Sequence, residues 1–190
     1  MHTAVATLKS TAGSAYQPGR ELQTPRDDKE TWDKYEPRVW KERAHYNDAG
    51  HVVIPAITFK RCLEAASAYN PRKLKGASTY TKLFERAIIA VGDVILPETR
   101  ETIVGVSIAV PPDGMAASKS NQKSSRVWRT FPTIKEWSGK ITIHVLDDRI
   151  DRAVLSATLE DAGLYIGIGT WRPQRGGLNG RFEVKSLEWK

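Results

Sequence analysis

Short segments in which apolar and polar residues alternate recur along this chain, as they do in half-buried β-strands. The alternation is clearest at residues 102–110, where Val104, Val106, Ile108 and Val110 share one face. A turn signal, Asn-Asp-Ala-Gly, stands immediately before another such segment. The strands predicted in this way cover residues 3–9, 51–54, 86–96, 102–110, 141–145 and 181–189.

One helix is predicted to follow Pro55. Apolar residues recur there every three or four positions while polar residues take the other faces, which is the pattern of an amphipathic helix. Pro71 is expected to end it. The apolar positions are Phe59, Cys62, Leu63, Ala66 and Tyr69.

A second helix is predicted near residues 149–162, with Asp147 or Asp148 as its N-cap and Gly163 at its end. The order is then strand, helix, strands, helix, strand. This order predicts an α+β fold, a ferredoxin-like or RRM-like antiparallel sheet with two helices on one face and a long mid-chain insertion. We expect a single domain over residues 1–190, with insertions at about 10–37, 70–83 and 111–137.

Composition places the chain among ordinary globular proteins. Of the 190 residues, 40% are hydrophobic and 27% charged, and no apolar run approaches the roughly 20 residues of a membrane span. The N-terminus lacks the pattern of a signal peptide. The single cysteine excludes an intramolecular disulfide and a Cys-based zinc cluster. We therefore expect a reducing, cytoplasmic setting and no membrane contact.

The formal net charge of +7 favours a polyanionic partner, nucleic acid above all. The excess cations fall in three segments that also hold Gly, Ser or Pro. Taken alone, each of these segments could simply be a solvated loop. The cations are Arg72, Lys73, Lys75, Lys82 and Arg86 in the first, Lys119, Lys123, Arg126 and Arg129 in the second, and Arg172, Arg175 and Arg181 in the third.

The third segment, residues 167–181, is named here the Gly/Arg loop. Five glycines, among them Gly176 and Gly177, accompany Trp171 and the three arginines. Glycine lets a backbone approach a ligand closely, and arginine offers forked donors to phosphate oxygens. The loop is predicted to hold a phosphodiester backbone; a flexible surface hairpin is the alternative.

The second segment interleaves cations with aromatic rings, since Arg126, Trp128, Arg129 and Phe131 follow one another closely. Bases stack on aromatic rings while arginines neutralise phosphates, and this pairing suits single strands better than duplexes. Alternatively, the two aromatic residues pack the insertion onto the core.

Catalytic patterns are weak in this sequence. The motifs HExxH, GxSxG and GxxxxGK[ST] are absent, and His45 and His51, which flank a turn, match no established metal-ligand spacing. Cys62 lies on the apolar face of the first predicted helix, which favours a core cysteine over a nucleophile. No cofactor or metal is expected, and a non-enzymatic protein is favoured over an enzyme.

Residues 45–63 resemble the RAMP superfamily of CRISPR-associated proteins, in which a turn ending in Gly leads into an Ile-Pro-small-x-Ser/Thr-aromatic/Leu-Lys helix start. The Gly/Arg loop and the opening Thr-Leu-Lys-Ser-Thr at residues 7–11 are similar to that family as well. The Gly-Ser-Ser-Leu-Lys-Gly sequence that is usual at this helix start in the family is replaced here by one that lacks both glycines. By this resemblance, Thr58, Lys60 and Arg61 line an RNA groove together with the Gly/Arg loop.

The resemblance implies a backbone subunit that assembles along a guide RNA into a helical or cyclic oligomer, beside other ribonucleoprotein subunits. Residues 111–137 would be its protruding thumb. Some related subunits cleave RNA with a loop aspartate, for which Asp27, Asp28 and Asp33 are the candidates. Two alternatives stay open: a metal-dependent ribonuclease, and a phage-borne protein that binds or anneals single-stranded DNA.

Overall fold

The computed structural model describes residues 1–70, Leu74, residues 79–110 and residues 126–190. Within these ranges it contains nine strands and four α-helices. The strands are β1 (His2–Ser10), β2 (His45–Tyr46), β3 (His51–Ile54), β4 (Ile88–Val91), β5 (Val94–Thr99), β6 (Val104–Val110), β7 (Val127–Thr133), β8 (Ser138–Val145) and β9 (Phe182–Trp189). The helices are α1 (Trp32–Val39), α2 (Ala56–Ser67), α3 (Thr81–Ala87) and α4 (Arg152–Asp161).

The main sheet has four antiparallel strands in the order β4-β8-β1-β9. The central strand β1 pairs Ala4 with Ile143 on one side and with Trp189 on the other. Counting the four strands along the chain, this order is 2-3-1-4. It is the order of a ferredoxin-like sheet, and it confirms the predicted α+β class.

One face of this sheet forms the core. On β1, Ala4, Ala6 and Leu8 are fully buried while the residues between them are partly exposed, as the alternation of a strand requires. The apolar faces of α2 and α4 share the same core, with Leu63 and Leu155 both fully buried. The two predicted helices therefore lie together on one face. In the described ranges, no helix is both long and apolar enough to span a bilayer.

The segment between β1 and α2 differs from the loop predicted at residues 10–37, because α1 begins at Trp32. Buried Tyr35 and Val39 give this short helix an inner face, which two buried apolar residues were too few to reveal in the sequence. Further along, β2 and β3 join β5 in a three-stranded sheet.

The segment predicted as one strand at residues 86–96 is the end of α3 followed by two strands, β4 and β5, which Gly92 and Asp93 separate. Part of the insertion predicted at residues 111–137 forms a strand. β7 pairs in register with β6, for example Ser107 with Thr130, so the described part of this insertion belongs to a β-hairpin. Residues 111–125 lie outside the described ranges.

The second predicted helix, α4, starts later than expected, and Asp151 caps it. Its Oδ1 accepts a hydrogen bond of 2.7 Å from the Val154 amide. Asp147 instead accepts hydrogen bonds from Arg149, whose side chain holds the pKa of Asp147 at about 2. Gly163 does not end the helix, because a π-helical turn continues to Ile166.

Candidate nucleic-acid interface

A groove of about 980 Å³ opens between α2 and the Gly/Arg loop. Five parts of the chain contribute to its lining. The lining includes Tyr16, Gly19 and Arg20 before α1, His45 on β2, Ile57, Thr58, Arg61 and Cys62 on α2, Phe131 on β7, and residues 166–172 with Gln174 and Arg175.

The groove is strongly cationic. Four arginines line it, and no Asp or Glu is among the described residues that line it. In the described part of the chain, the side chains of Arg20, Arg61 and Arg175 have neither a hydrogen-bond nor an ion-pair partner, and all three are exposed. The first turn of α2, with the positive end of its dipole, lies on the same groove. These guanidinium groups are free to bind an anion.

Arg172 is the most enclosed of the four. Its Nη1 donates to the Gly169 carbonyl and its Nε to Oε1 of Gln174, both at 3.1 Å, so the guanidinium is held in place. Burial, together with the neighbouring Arg175 charge, lowers the pKa of Arg172 from its usual value. A bound phosphate would offset both effects.

Aromatic side chains accompany these cations. Trp171 is 43% exposed at the groove and has φ of 54°, a left-handed conformation that side chains other than glycine rarely adopt. Phe131 lies under the Arg43 guanidinium, 5.2 Å from the ring centroid. Tyr16 is buried, and burial raises the pKa of its hydroxyl. Trp171 therefore offers an exposed ring next to Arg172.

The glycines of the Gly/Arg loop let the chain pack against itself. At Gly169 φ is +78°, and an added Cβ would stand 2.4 Å from the Gln17 carbonyl oxygen. At Gly177 an added Cβ would stand 1.7 Å from the Trp171 carbonyl oxygen. Gly176 and Gly177 do not line the groove. They shape the loop that presents Trp171.

Gln17 connects two parts of the chain that contribute to the groove, the Gly/Arg loop and β7. It is 3% exposed; its Oε1 accepts a 2.7 Å bond from Asn179 and its Nε2 donates to Oγ1 of Thr133 at 3.0 Å. Its carbonyl oxygen accepts a 2.8 Å bond from the Thr170 amide. One buried amide thus connects the Gly/Arg loop with β7.

His45 is half-buried in the wall of the groove. Burial lowers the pKa of its imidazole, and the nearby Arg20 charge lowers it further. The side chain is therefore mainly neutral in the free protein at neutral pH. An anion in the groove would favour its protonated form.

Cys62 lies at the base of the groove as a core residue, as the sequence predicts. Its Sγ lies 3.3 Å from the Ala162 carbonyl oxygen and 3.4 Å from that of Gly167, so its single proton is shared between these two acceptors. Burial raises the pKa of the thiol to about 12. These bonds hold the π-helical turn and the start of the Gly/Arg loop against α2.

Five of the residues predicted to bind nucleic acid line the groove together: Thr58, Arg61, Trp171, Arg172 and Arg175. Two others make bonds within the protein. The Lys60 ammonium contacts Oε1 of Glu64 and donates to the Glu85 carbonyl, both at 3.0 Å. Arg181 donates from Nε to the Leu164 carbonyl at 3.1 Å.

The predicted residues of the hairpin do not line the groove either. Arg126 is exposed, Trp128 is 59% exposed, and the Arg129 guanidinium lies 5.0 Å from the ring centroid of Trp32. Phe131, which the sequence analysis considered both as a stacking ring and as a packing residue, is the residue of this segment that lines the groove. Lys119 and Lys123 lie outside the described residues.

The three candidate catalytic aspartates are exposed and none lines the groove. Asp27 lies 4.0 Å from Nη2 of Arg38, and Asp28 follows in a turn. Asp33 belongs to the first turn of α1 and not to a loop. Among the residues with described positions, no group of three His, Cys, Asp or Glu side chains could hold a metal ion.

Sequence reasoning missed Tyr16, Arg20 and His45 as groove residues. Arg20 stands in a Gly/Pro-rich stretch without periodicity, and His45 is one residue of a two-residue strand. In the sequence, only the start of the first predicted helix and the Gly/Arg loop pointed to this site. The other residues reach the groove only because the chain folds back on itself.

Comparison with known proteins is informative about the fold. No protein-family model and no curated protein matches the chain. Among solved structures, it is similar to a chain of the cryo-EM structure of the Type III-B Cmr-beta bound to cognate target RNA, with a TM-score of 0.56 and 13% identity. The similarity covers 99% of this chain and 60% of that one. At this identity the similarity shows a shared fold alone.

Proposed function

We propose that the protein binds single-stranded RNA in the groove, as a non-enzymatic subunit of a CRISPR-type ribonucleoprotein. The observation that carries this proposal is the set of four arginines that line the groove without a carboxylate in its described lining. The fold similarity to a chain of an RNA-bound complex supports the same choice of ligand.

The side chains of the groove favour a single strand over a duplex. Trp171 offers an exposed ring beside Arg172, so a splayed base can stack while its phosphates contact guanidinium groups. A base paired within a duplex would have no free face for this ring. We therefore infer contacts to the backbone and to unpaired bases, with little sequence preference.

We further propose that several copies assemble along one RNA, each covering a few nucleotides in its groove. The RAMP resemblance of residues 45–63 supports this arrangement, and other ribonucleoprotein subunits would join at the ends. Affinity would then fall steeply with salt, because each phosphate contact releases condensed cations.

The experiment is fluorescence anisotropy with a labelled RNA oligonucleotide of mixed sequence. Arg172→Ala with Arg175→Ala should weaken binding at least tenfold and equally for unrelated sequences, since these arginines contact phosphates. The matched control is Arg86→Ala with Arg152→Ala, which removes two exposed arginines outside the groove. Equal affinity of the two double variants would contradict the proposal.

A matched DNA oligonucleotide separates the proposal from its closest alternative. RNA alone offers a 2′-hydroxyl to Thr58, Gln174 or the loop carbonyls, so RNA should compete better than DNA of the same sequence. Preferential binding of DNA would favour the phage-type role in single-stranded DNA binding. Cleavage of the bound RNA that stops with EDTA would instead favour a metal-dependent ribonuclease.

A further inference from the structure

The two edges of the β6–β7 hairpin differ sharply. On β7 the free edge is closed at Thr130, whose amide donates to Oε1 of Glu36 at 2.7 Å. The Thr130 carbonyl accepts a 3.2 Å bond from Nη1 of Arg43. A buried ion pair between Glu36 and Arg43 thus takes the place of a neighbouring strand.

The other edge, on β6, is open. The N–H and C=O groups of Thr130 point away from β6, so Ser107 and Thr130 form a non-hydrogen-bonded pair. The pairs two residues before and after it, Gly105 with Pro132 and Ala109 with Trp128, are of the same type. The partner of Gly105 is Pro132, which has no N–H, as this pattern allows. The N–H and C=O groups of Gly105, Ser107 and Ala109 therefore point away from β7. In the described part of the chain they have no partner.

The composition of β6 suits strand addition. Its seven residues include neither a charge nor a proline, and Val104 and Val106 are 64% and 42% exposed. Two of the other strands at sheet edges carry charges or a proline, which block such pairing. β9 presents exposed Glu183, Lys185 and Glu188, and β5 contains proline and glutamate.

We propose that β6 pairs with β6 of a second copy of this chain, antiparallel, about a two-fold axis at Ser107. The two hairpins then form one four-stranded sheet. This inference goes beyond the RNA-binding function and needs no RNA, because it rests on the free backbone groups of β6.

The sequence of β6 is self-complementary in that register. Ser107 faces Ser107 of the partner subunit, and Gly105 faces the partner's Ala109, so all three outward-pointing residues of each copy form hydrogen-bonded pairs. Val106 then lies beside the partner's Ile108, and Val104 beside the partner's Val110. The aliphatic side chains gather on one face and the small ones on the other.

Sedimentation velocity on nuclease-treated protein at several concentrations tests the dimer. The wild type should shift from one to two times its 21.2 kDa mass as concentration rises. Ser107→Pro removes an N–H that points away from β7, so it should leave the hairpin intact and abolish the dimer. Ser107→Ala keeps that N–H and should dimerise like the wild type. A wild type that stays monomeric, or a proline variant that dimerises equally, overturns the proposal.

Cross-linking tests the register without relying on the proline variant. At the two-fold axis the two Ser107 Cα atoms would lie about 5.5 Å apart. A short bis-maleimide should therefore join two copies of Ser107→Cys. Val104→Cys is the control. In the proposed register residue 104 of one copy and residue 104 of the other would lie six residues apart along the paired strands, about 20 Å. The native Cys62 is buried. Equal cross-linking of both variants, or of neither, contradicts this pairing.

Discussion

Arginine side chains are arranged in opposite ways in the groove and in the adjacent α1–β7 region. In the groove, Arg20, Arg61 and Arg175 have no hydrogen-bond or ion-pair partner among the described residues. In the α1–β7 region, Arg43 is 6% exposed and pairs with Glu36 at 2.7 Å. Arg129 stacks over an indole ring.

The comparison shows that residue type and local sequence do not decide what an arginine does in this protein. A partnered arginine fixes one part of the fold against another, and its removal should mainly affect stability. An unpartnered arginine contributes little to stability, since its charge stays hydrated. Its removal should mainly affect the binding of an anion.

The largest expected effect comes from breaking the buried pair. Glu36→Ala leaves the Arg43 charge buried without its partner, which should cost about 3–5 kcal/mol of unfolding free energy. Urea denaturation measures this loss. Asp27→Ala, which removes a carboxylate that is 85% exposed, is the control and should leave the midpoint nearly unchanged. If both variants unfold at the same urea concentration, the pair does not stabilise the hairpin.

Gln17 tests the connection between the two regions. Gln17→Leu should cost about 1–3 kcal/mol of stability, because Asn179 and Thr133 lose a buried hydrogen-bond partner. It should also weaken RNA binding, since the Gly/Arg loop loses its link to β7. Thr133→Val removes one of these bonds and should cost less. An RNA affinity that Gln17→Leu leaves unchanged would show that the Gly/Arg loop is positioned independently of β7.

Single substitutions in the groove should affect affinity alone. Arg61→Ala should weaken RNA binding by about tenfold and lower the slope of log affinity against log salt by about one, as expected for one lost phosphate contact. The thermal midpoint should not change. A change in the midpoint with unchanged affinity would place Arg61 with the structural arginines.

The smallest effect concerns pH. In the free protein the pKa of His45 is lowered, and a bound polyanion would raise it, so binding should take up a proton. RNA affinity should therefore rise a few-fold as pH falls from about 8 to about 5.5. His45→Gln keeps a neutral polar side chain and should flatten this dependence. A wild-type slope that survives in His45→Gln would assign the proton uptake to another group.

The sequence alone determined much of the fold and part of the candidate site. Alternating apolar residues predicted β1, β6, β8 and β9, and helical spacing predicted α2, because these patterns report which side of an element is buried. Thr58, Arg61 and the Gly/Arg loop were also recognisable, since residue type and local motif singled them out. Short elements such as α1 lacked enough apolar positions to be predicted.

Only the tertiary structure decided which cations share a surface and which are occupied. Arg20, Arg61 and Arg175 meet at the groove across more than a hundred residues of chain, whereas Lys60, beside Arg61 in sequence, contacts Glu64 and the Glu85 carbonyl. Periodicity reports burial but not partners, because hydrogen bonds and ion pairs form between residues that only folding brings together. For the same reason, the sequence does not distinguish the edge of β7, which Glu36 closes, from the edge of β6, which stays open.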